Sequence, residues 1–289
     1  MSEARTAFVT GWPIAHSRSP MIHRTWLREL GIAGSYDAIA VGPDGFAAFL
    51  ASLRRQGLAG GNVTIPHKET AFRLVDRRDA AAEAIGAVNT LWFEGDALVG
   101  GNTDSYGFSA NLDERLEGWR DAERALVLGA GGAARAVVHA LLSAGIGQVA
   151  VVNRTPARAR ALAADFGAGV EGLGSEDEAA ELGRADLVVN TRPTGTAGGS
   201  DGGALPDLSH VRQGALATDI VYVPLQTPFL SSATARGLRT ADGLGMLLHQ
   251  AVPGFERWFG RRPVVGPALR AAVERDILTP QEDAGAERA

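Results

Sequence analysis

The chain contains no cysteine, so disulfide bonds and thiolate metal sites are excluded. No uninterrupted apolar run approaches the ~20 residues that a helix needs to span a bilayer. The N-terminal residues also lack the basic-then-apolar layout of a secretory signal. With a formal net charge of −5, there is no basic excess for nucleic acid or for an anionic membrane. These absences fit a cytoplasmic protein whose partner is a small molecule.

Lysine is nearly absent as well. The chain has 28 basic residues, and Lys68 is the only lysine among them. Arginine stays protonated in proteins, whereas lysine can titrate. An arginine-rich genome explains the bias equally well, so Lys68 is a candidate for proton transfer only if its neighbours support that role.

The 289 residues suggest roughly two domains of ~150 residues each. In the first hundred residues, strands are predicted at 5–11, 35–41, 60–66, 88–93 and 97–101, with helices beginning at Ser19 (as N-cap) and Phe46. After a helix at about 105–117, strands are predicted at 125–130, 149–154, 187–190 and 216–222, with helices at 132–144, 155–166 and from Gly243, and loops at 172–178 and 195–207. Such strand–helix alternation predicts an α/β protein with parallel sheets covered on both faces.

A glycine-rich segment lies between the first strand and the first helix of the second half. Residues 129–134 read Gly-Ala-Gly-Gly-Ala-Ala, which is G-x-G-x-x-A between a predicted strand and a predicted helix. Gly129 allows the tight turn, Gly131 allows a pyrophosphate to approach the backbone, and Ala134 allows close helix packing. Free N–H groups at the helix start favour an anion. The pattern therefore predicts a dinucleotide site.

The next predicted strand ends in Asn153-Arg154-Thr155-Pro156-Ala157-Arg158, about 20 residues further on. An NAD site usually presents a carboxylate there, whereas this segment has two arginines at a helix start. Guanidinium groups and a helix N-terminus both favour a phosphate. Arg154 and Arg158 thus indicate the 2′-phosphate of NADP.

Three polar clusters occupy the first half: residues 16–20 with Ser17 and Ser19, residues 62–68 with Thr64 and Lys68, and a group formed by Asn89 with residues 102–104, which include Asp104. Taken singly, each cluster could serve only to form a turn or to cap a helix. Together they supply hydroxyls and amides for a polyol, one titratable cation and one carboxylate. No hydrolase motif is present, and the six histidines show no metal-binding spacing.

Eight blocks in order resemble the signatures of shikimate dehydrogenases and span about residues 11 to 251: GWPIAHSRSPMIH, GGNVTIPHK, GAVNT, GGNTDSYGF, GAGGAARA, NRTPAR, DIVYVPLQTPF and DGLGMLLHQA. The resemblance implies an N-terminal α/β substrate domain at 1–104, a Rossmann-type doubly wound NADP domain at 105–240, and C-terminal helices at 241–289 that return to the first domain. It implies reduction of 3-dehydroshikimate to shikimate, a step of chorismate and aromatic amino acid biosynthesis.

The resemblance also implies roles for matching residues. The catalytic pair would be Lys68 and Asp104, with the lysine at the reacting oxygen. The residues implied to bind substrate are Ser17, Ser19, Thr64, Lys68, Asn89, Asp104, Tyr222 and Gln250. The residues implied to bind NADP are Gly129, Ala130, Gly131, Gly132, Ala133, Asn153, Arg154, Thr155, Arg158, Ile220 and Gly243. No metal is implied, and a homodimer is left open.

Two departures from the family pattern are Ser105, where glycine is common, and His67, where phenylalanine is common. Both leave the breadth of substrates open, so a quinate dehydrogenase is one alternative. The other is a non-catalytic protein that senses shikimate-like ligands.

Overall fold

The structure, a computed structural model, describes residues 4–193 and 205–279. The first half forms a six-stranded sheet in the order β2-β1-β3-β5-β6-β4. Its strands are β1 (Arg5–Gly11), β2 (Gly34–Ala40), β3 (Leu58–Val63), β4 (Arg77–Arg78), β5 (Thr90–Glu94) and β6 (Ala97–Gly101). β1 pairs in parallel with β2 and β3, whereas β5 runs antiparallel to both β3 and β6. The carboxyl ends of β1, β3 and β6 therefore lie at one edge of the sheet.

The second half forms an all-parallel sheet in the order β12-β11-β10-β7-β8-β9. Its strands are β7 (Arg124–Leu128), β8 (Gln148–Val152), β9 (Val170–Leu173), β10 (Leu187–Asn190), β11 (Leu216–Asp219) and β12 (Arg239–Ala241). β7, β8 and β10 each contain a run of three or four buried apolar residues, as expected when helices cover both faces, whereas β11 buries Thr218 and Asp219 after Leu216 and Ala217.

Eleven α-helices cover these sheets within the described residues. They are α1 (Ser19–Glu29), α2 (Phe46–Ser52), α3 (Lys68–Leu74), α4 (Ala80–Ile85), α5 (Asp104–Arg115), α6 (Gly132–Ser143), α7 (Pro156–Phe166), α8 (Glu178–Leu182), α9 (Pro228–Ala235), α10 (Leu244–Phe259) and α11 (Pro267–Leu278). None of them is long and apolar enough to cross a membrane.

The last two helices return to the first sheet. Leu248, Phe255 and Trp258 of α10 and Val273 of α11 are buried in one cluster with Trp26 of α1. The Trp258 indole N–H also donates to the carbonyl oxygen of Leu91 in β5 at 2.8 Å. The predicted fold class, an α/β protein with a Rossmann-type half and returning C-terminal helices, is confirmed.

Several details of the prediction were wrong. Residues 172–178 are not one loop, because β9 extends to Leu173 and α8 begins at Glu178. The strand predicted at 216–222 ends at Asp219. Ser19 is the first residue of α1 and not its cap; instead, the Ser17 hydroxyl accepts the Ser19 N–H at 3.3 Å. The loop predicted at 195–207 lies largely outside the described residues.

Candidate active site

The polar clusters meet at one edge of the first sheet. The β1–α1 loop carries Ser17, the β3–α3 loop carries Thr64, and β6 leads directly into Asp104. Asn89 stands immediately before the antiparallel β5, which brings it to the same edge. Parallel strands place their carboxyl ends together, so residues far apart in sequence become neighbours here.

Lys68 and Asp104 form an ion pair, with Lys68 Nζ 2.6 Å from Asp104 Oδ2. Each is the first residue of a helix, α3 and α5 respectively. The positive end of a helix favours a carboxylate and disfavours an ammonium. The negative charge of Asp104 therefore offsets the unfavourable interaction between the Lys68 ammonium and the start of α3. The side chains remain 28% and 16% exposed, which leaves the ammonium accessible from the cleft.

Asp104 is held from its other side by Asn89. Asn89 Nδ2 donates to Asp104 Oδ1 at 2.8 Å, and Asn89 Oδ1 accepts the backbone N–H of Thr103 at 2.9 Å. The backbone N–H of Asp104 donates to Asn102 Oδ1 at 3.0 Å. One carboxylate oxygen is thereby used for positioning, and the other faces the lysine.

A cleft of about 340 Å³ opens in front of this pair. All eight residues expected at the substrate line it: Ser17, Ser19, Thr64, Lys68, Asn89, Asp104, Tyr222 and Gln250. Its far wall comes from the second half of the chain, through Ala133, Ile220 and Gly243. Gly243 and Gln250, seven residues apart, both face the cleft from the start and the second turn of α10.

The loop after β11 is fixed by a buried carboxylate. Asp219 accepts hydrogen bonds from Thr227 Oγ1 at 2.7 Å, Asn190 Nδ2 at 3.0 Å and the backbone N–H of Val221 at 2.9 Å. Burial raises the pKa of Asp219, while these hydrogen bonds counteract the rise. They hold the segment that carries Ile220 and Tyr222.

The remaining residues expected at the cofactor lie at the carboxyl ends of the adjacent strands β7 and β8. Gly129 has a φ of +109°, and a Cβ there would lie 2.6 Å from Thr191 Oγ1, so only glycine fits. At Gly131 and Gly132 a Cβ would meet open space. No contact within the protein therefore requires glycine at these two positions. The missing side chains leave room for a ligand at the start of α6.

The second cofactor segment follows β8. Thr155 precedes α7, and Arg154, Thr155 and Arg158 are exposed around the start of that helix. Asn153 Nδ2 donates to the carbonyl oxygen of Thr155 at 3.0 Å, which closes the turn. An open helix start with two guanidinium groups suits a phosphate monoester. The donor set thus fits a nicotinamide dinucleotide that carries a 2′-phosphate.

Sequence reasoning missed some of the cleft wall. Asn62, Arg18, Met246 and Leu247 line it, although none was assigned a role. Arg18 Nε lies 2.8 Å from Asp276 Oδ2 of α11, an ion pair that only the fold could reveal. Asn62 gave a usable signal, because a polar side chain within a buried strand needs hydrogen-bond partners.

His67, adjacent to the lysine, does not enter the cleft wall. It is buried, stacks on Phe46 with ring centroids 4.2 Å apart, and its Nε2 lies 2.7 Å from the carbonyl oxygen of Val41. A carbonyl can only accept, so Nε2 carries the hydrogen. The histidine anchors the start of α3.

Taken together, a parallel sheet with a glycine-rich turn, an adjacent arginine-bearing helix start and a lysine–carboxylate cleft define a two-domain nicotinamide-dependent oxidoreductase. Comparison with known proteins agrees and narrows the class. Three family models match: Shikimate dehydrogenase substrate binding domain at residues 9–91, Shikimate / quinate 5-dehydrogenase at 112–196, and Shikimate 5'-dehydrogenase C-terminal domain at 243–272.

Curated relatives cover nearly the whole chain. Shikimate dehydrogenase (NADP(+)) of Brucella melitensis is 60% identical over 278 residues, covering 96% of each chain. The protein of the same name from Mesorhizobium japonicum is 56% identical, covering 95% of this chain and 97% of its own. The chain belongs to the shikimate dehydrogenase family.

Solved structures share the fold. Shikimate 5-dehydrogenase of Thermus thermophilus, in complex with NADP(H) and shikimate, matches with a TM-score of 0.82 and 37% identity, covering 94% of this chain and 99% of that chain. Quinate dehydrogenase of Corynebacterium glutamicum, in complex with NAD, matches with a TM-score of 0.85 and 28% identity, with the same coverage.

Proposed function

We propose that this chain is an NADP-dependent shikimate dehydrogenase that interconverts 3-dehydroshikimate and shikimate. The observation that carries the proposal is the Lys68–Asp104 pair, with its 2.6 Å contact, in a cleft that is also lined by Ala133 at the start of α6, the helix that follows the glycine-rich turn. The 60% identity to a curated enzyme of that activity supports it. Shikimate, the product of the reduction, is used in aromatic amino acid biosynthesis.

Lys68 is the general acid and base at the reacting oxygen. In reduction its ammonium donates a proton to the carbonyl oxygen as the alcohol forms; in oxidation its amine accepts the hydroxyl proton. Asp104 orients the ammonium through one oxygen, while Asn89 fixes the other. The bound nicotinamide supplies or accepts the hydride.

The other cleft residues orient the substrate. The proposed ligand has a carbon ring with three oxygen substituents and a carboxylate. These groups match the hydroxyls of Ser17, Ser19, Thr64 and Tyr222 and the amides of Asn89 and Gln250. Orientation of this kind converts binding energy into rate, because it holds the reacting carbon where transfer can occur. All six residues line the same cavity, which supports the assignment.

The cofactor segment is assigned in the same way. Backbone N–H groups of residues 130–133 would hold the pyrophosphate, while Gly129, whose own N–H donates to the carbonyl oxygen of Val152 at 2.8 Å, would provide the turn that lets the cofactor approach. Residues 153–158 would hold the adenosine ribose with its 2′-phosphate. Ile220 and Gly243 would lie at the nicotinamide end, because they face the cleft that Lys68 faces. The exposed Arg154 and Arg158 favour NADP over NAD.

We propose the domain division 1–104, 105–240 and 241–289 on the same footing. The first sheet ends at Gly101, and the second starts at Arg124 and reaches Ala241, one residue beyond the expected boundary. A cytoplasmic location and a homodimer remain predictions, which cell fractionation and analytical ultracentrifugation test.

The test is the rate of NADP⁺ reduction by the purified chain, followed by the absorbance of the reduced nicotinamide, with shikimate and quinate in parallel. NAD⁺ serves as the alternative cofactor. We expect turnover to be greatest with shikimate and NADP⁺. Comparable rates with quinate would move the assignment to a quinate/shikimate dehydrogenase, and no turnover by folded protein would favour a ligand sensor.

A further inference from the structure

Behind the cleft, buried polar side chains form a continuous series of hydrogen bonds that begins at Tyr36. The Tyr36 hydroxyl donates to Asn62 Oδ1 at 2.6 Å, and Asn62 Nδ2 donates to Thr90 Oγ1 at 3.2 Å. Tyr36 and Thr90 are fully buried, and Asn62 nearly so. Of these three side chains only Asn62 borders the cleft, and it is 5% exposed, so water has little access to them.

The series continues to the catalytic pair. Thr90 Oγ1 donates to Asn89 Oδ1 at 2.8 Å, Asn89 Nδ2 donates to Asp104 Oδ1 at 2.8 Å, and Lys68 Nζ donates to Asp104 Oδ2 at 2.6 Å. From the tyrosine to the carboxylate, every hydrogen points towards Asp104. We call this series of side chains the Tyr36–Asp104 relay.

Backbone groups fix the direction of the relay. Asn62 Nδ2 also lies 3.1 Å from the carbonyl oxygen of Asn89, which can only accept. Asn89 Oδ1 lies 2.9 Å from the backbone N–H of Thr103, which can only donate. Neither amide can be reversed without placing two donors or two acceptors together. Asn62 Oδ1 therefore needs a donor, and Tyr36 supplies it.

The tyrosine is suited to this position. Burial raises the pKa of Tyr36 well above its usual value of 10.0, so the hydroxyl keeps its proton and remains a donor. Its ring is held by His23, which stacks on it with centroids 3.9 Å apart and planes 11° apart. The ring therefore has little freedom to turn the hydroxyl away from Asn62.

We propose that Tyr36 is a positioning residue for the reaction, acting through the Tyr36–Asp104 relay on the carboxylate that orients Lys68. Aligned hydrogen bonds polarise one another, so a donor at the buried end strengthens the bond received by Asp104. The inference rests on the proposed function and adds a residue that does not line the cleft.

The relay can be broken at two points with little change of shape. Tyr36→Phe removes the first donor, and Thr90→Val removes the hydroxyl that links Asn62 to Asn89. Thr90→Ser retains that hydroxyl. Thr10→Val is the matched control, because Thr10 Oγ1 is buried and has no hydrogen-bond partner among the described residues.

The experiment measures kcat, KM for shikimate and the single-turnover rate of NADP⁺ reduction, with urea midpoints to follow stability. We expect Tyr36→Phe and Thr90→Val each to lower the single-turnover rate by about three- to tenfold, as loss of one neutral hydrogen bond allows. KM should change less than twofold in Thr90→Val, since Thr90 does not line the cleft, whereas Tyr36→Phe also removes a hydrogen-bond partner of the cleft residue Ser19 and can raise KM further. Thr90→Ser and Thr10→Val should retain the wild-type rate.

The double variant distinguishes a relay from two local effects. Because the second break falls in a series already broken, Tyr36→Phe/Thr90→Val should lose no more than the worse single variant. Three results would overturn the inference: losses that multiply in the double variant, single variants within twofold of the wild-type rate, or an equal loss in Thr10→Val. In each case the wild-type enzyme is active, so the proposed function would stand. An inactive wild-type protein would instead overturn the proposed function, and this inference with it.

Discussion

A substitution at Gly107 tests how closely α5, the helix that begins at Asp104, must approach α10. It lies on α5, one turn after Asp104, where that helix crosses α10. A Cβ at Gly107 would lie 2.6 Å from the carbonyl oxygen of Met246, 2.7 Å from Gln250 Cβ and 2.8 Å from Gln250 N. These are backbone atoms and a Cβ, and no flexible side-chain end can move aside.

The size of the perturbation follows from those distances. Ordinary contact begins at 3.4 Å, so the Gly107→Ala variant requires the two helices to separate by about 0.8 Å (3.4 minus 2.6). A displacement near 1 Å can cost on the order of 100-fold in rate, and here it acts between Asp104 and Gln250. Overpacking costs about 1–3 kcal/mol, whereas the better helix propensity of alanine returns about 1 kcal/mol.

We therefore expect Gly107→Ala to lower kcat by about 10- to 100-fold while lowering the free energy of unfolding by at most about 2 kcal/mol. Initial rates and urea denaturation give the two quantities. Ser109→Ala is the control, because it raises helix propensity on α5 about 200° around the axis from Gly107. A Gly107→Ala enzyme with wild-type kcat would refute the reasoning, since the helices would then not need to be so close.

Two further predictions concern the cofactor and pH. Arg158→Ala should raise KM for NADP⁺ by about tenfold or more and leave KM for NAD⁺ unchanged, because a guanidinium–phosphate bond contributes about 1.5–3 kcal/mol; Arg160→Ala, on another face of the same helix, is the control, and equal effects on the two cofactors would contradict the assignment. Burial lowers the pKa of His23 from 6.5 to about 3, so below pH 6.5 the unfolded chain binds a proton that the folded chain excludes, and stability falls as the pH falls. His23→Phe should therefore lose less stability in urea denaturation between pH 7 and pH 5, by roughly 2 kcal/mol at pH 5; parallel curves for the two proteins would count against a buried neutral histidine.

Strong local patterns made much of the fold predictable. The strand–glycine turn–helix unit from Arg124 to Ser143 is encoded within 20 residues, and the structure has it within a residue or two of the expected bounds. Other elements gave weaker signals. α11 buries only Leu269 and Val273, too few to define a helical period, so its bounds were not predicted, although the resemblance implied C-terminal helices in this region. α8 has five residues, shorter than a periodic pattern can reveal.

The site divides in the same way. Lys68 and Asp104 could be nominated because their residue types are informative, and their pairing followed from the resemblance. The Tyr36–Asp104 relay could not be predicted, since it joins residues 26 and 28 positions apart through the register of β3 and β5. Ser19 was misread because a serine before a proline usually caps a helix, whereas here the Ser17 hydroxyl accepts the N–H of Ser19.

The central claim is that Lys68 transfers the proton at the reacting oxygen, and the single-turnover rate of shikimate oxidation by Lys68→Arg tests it most directly. Arginine keeps the positive charge and can still pair with Asp104, but it does not release its proton. The account predicts a rate lower by about 100- to 10,000-fold, with shikimate still bound. A rate near that of the wild-type enzyme would contradict it, and would leave Lys68 as a charge that only binds.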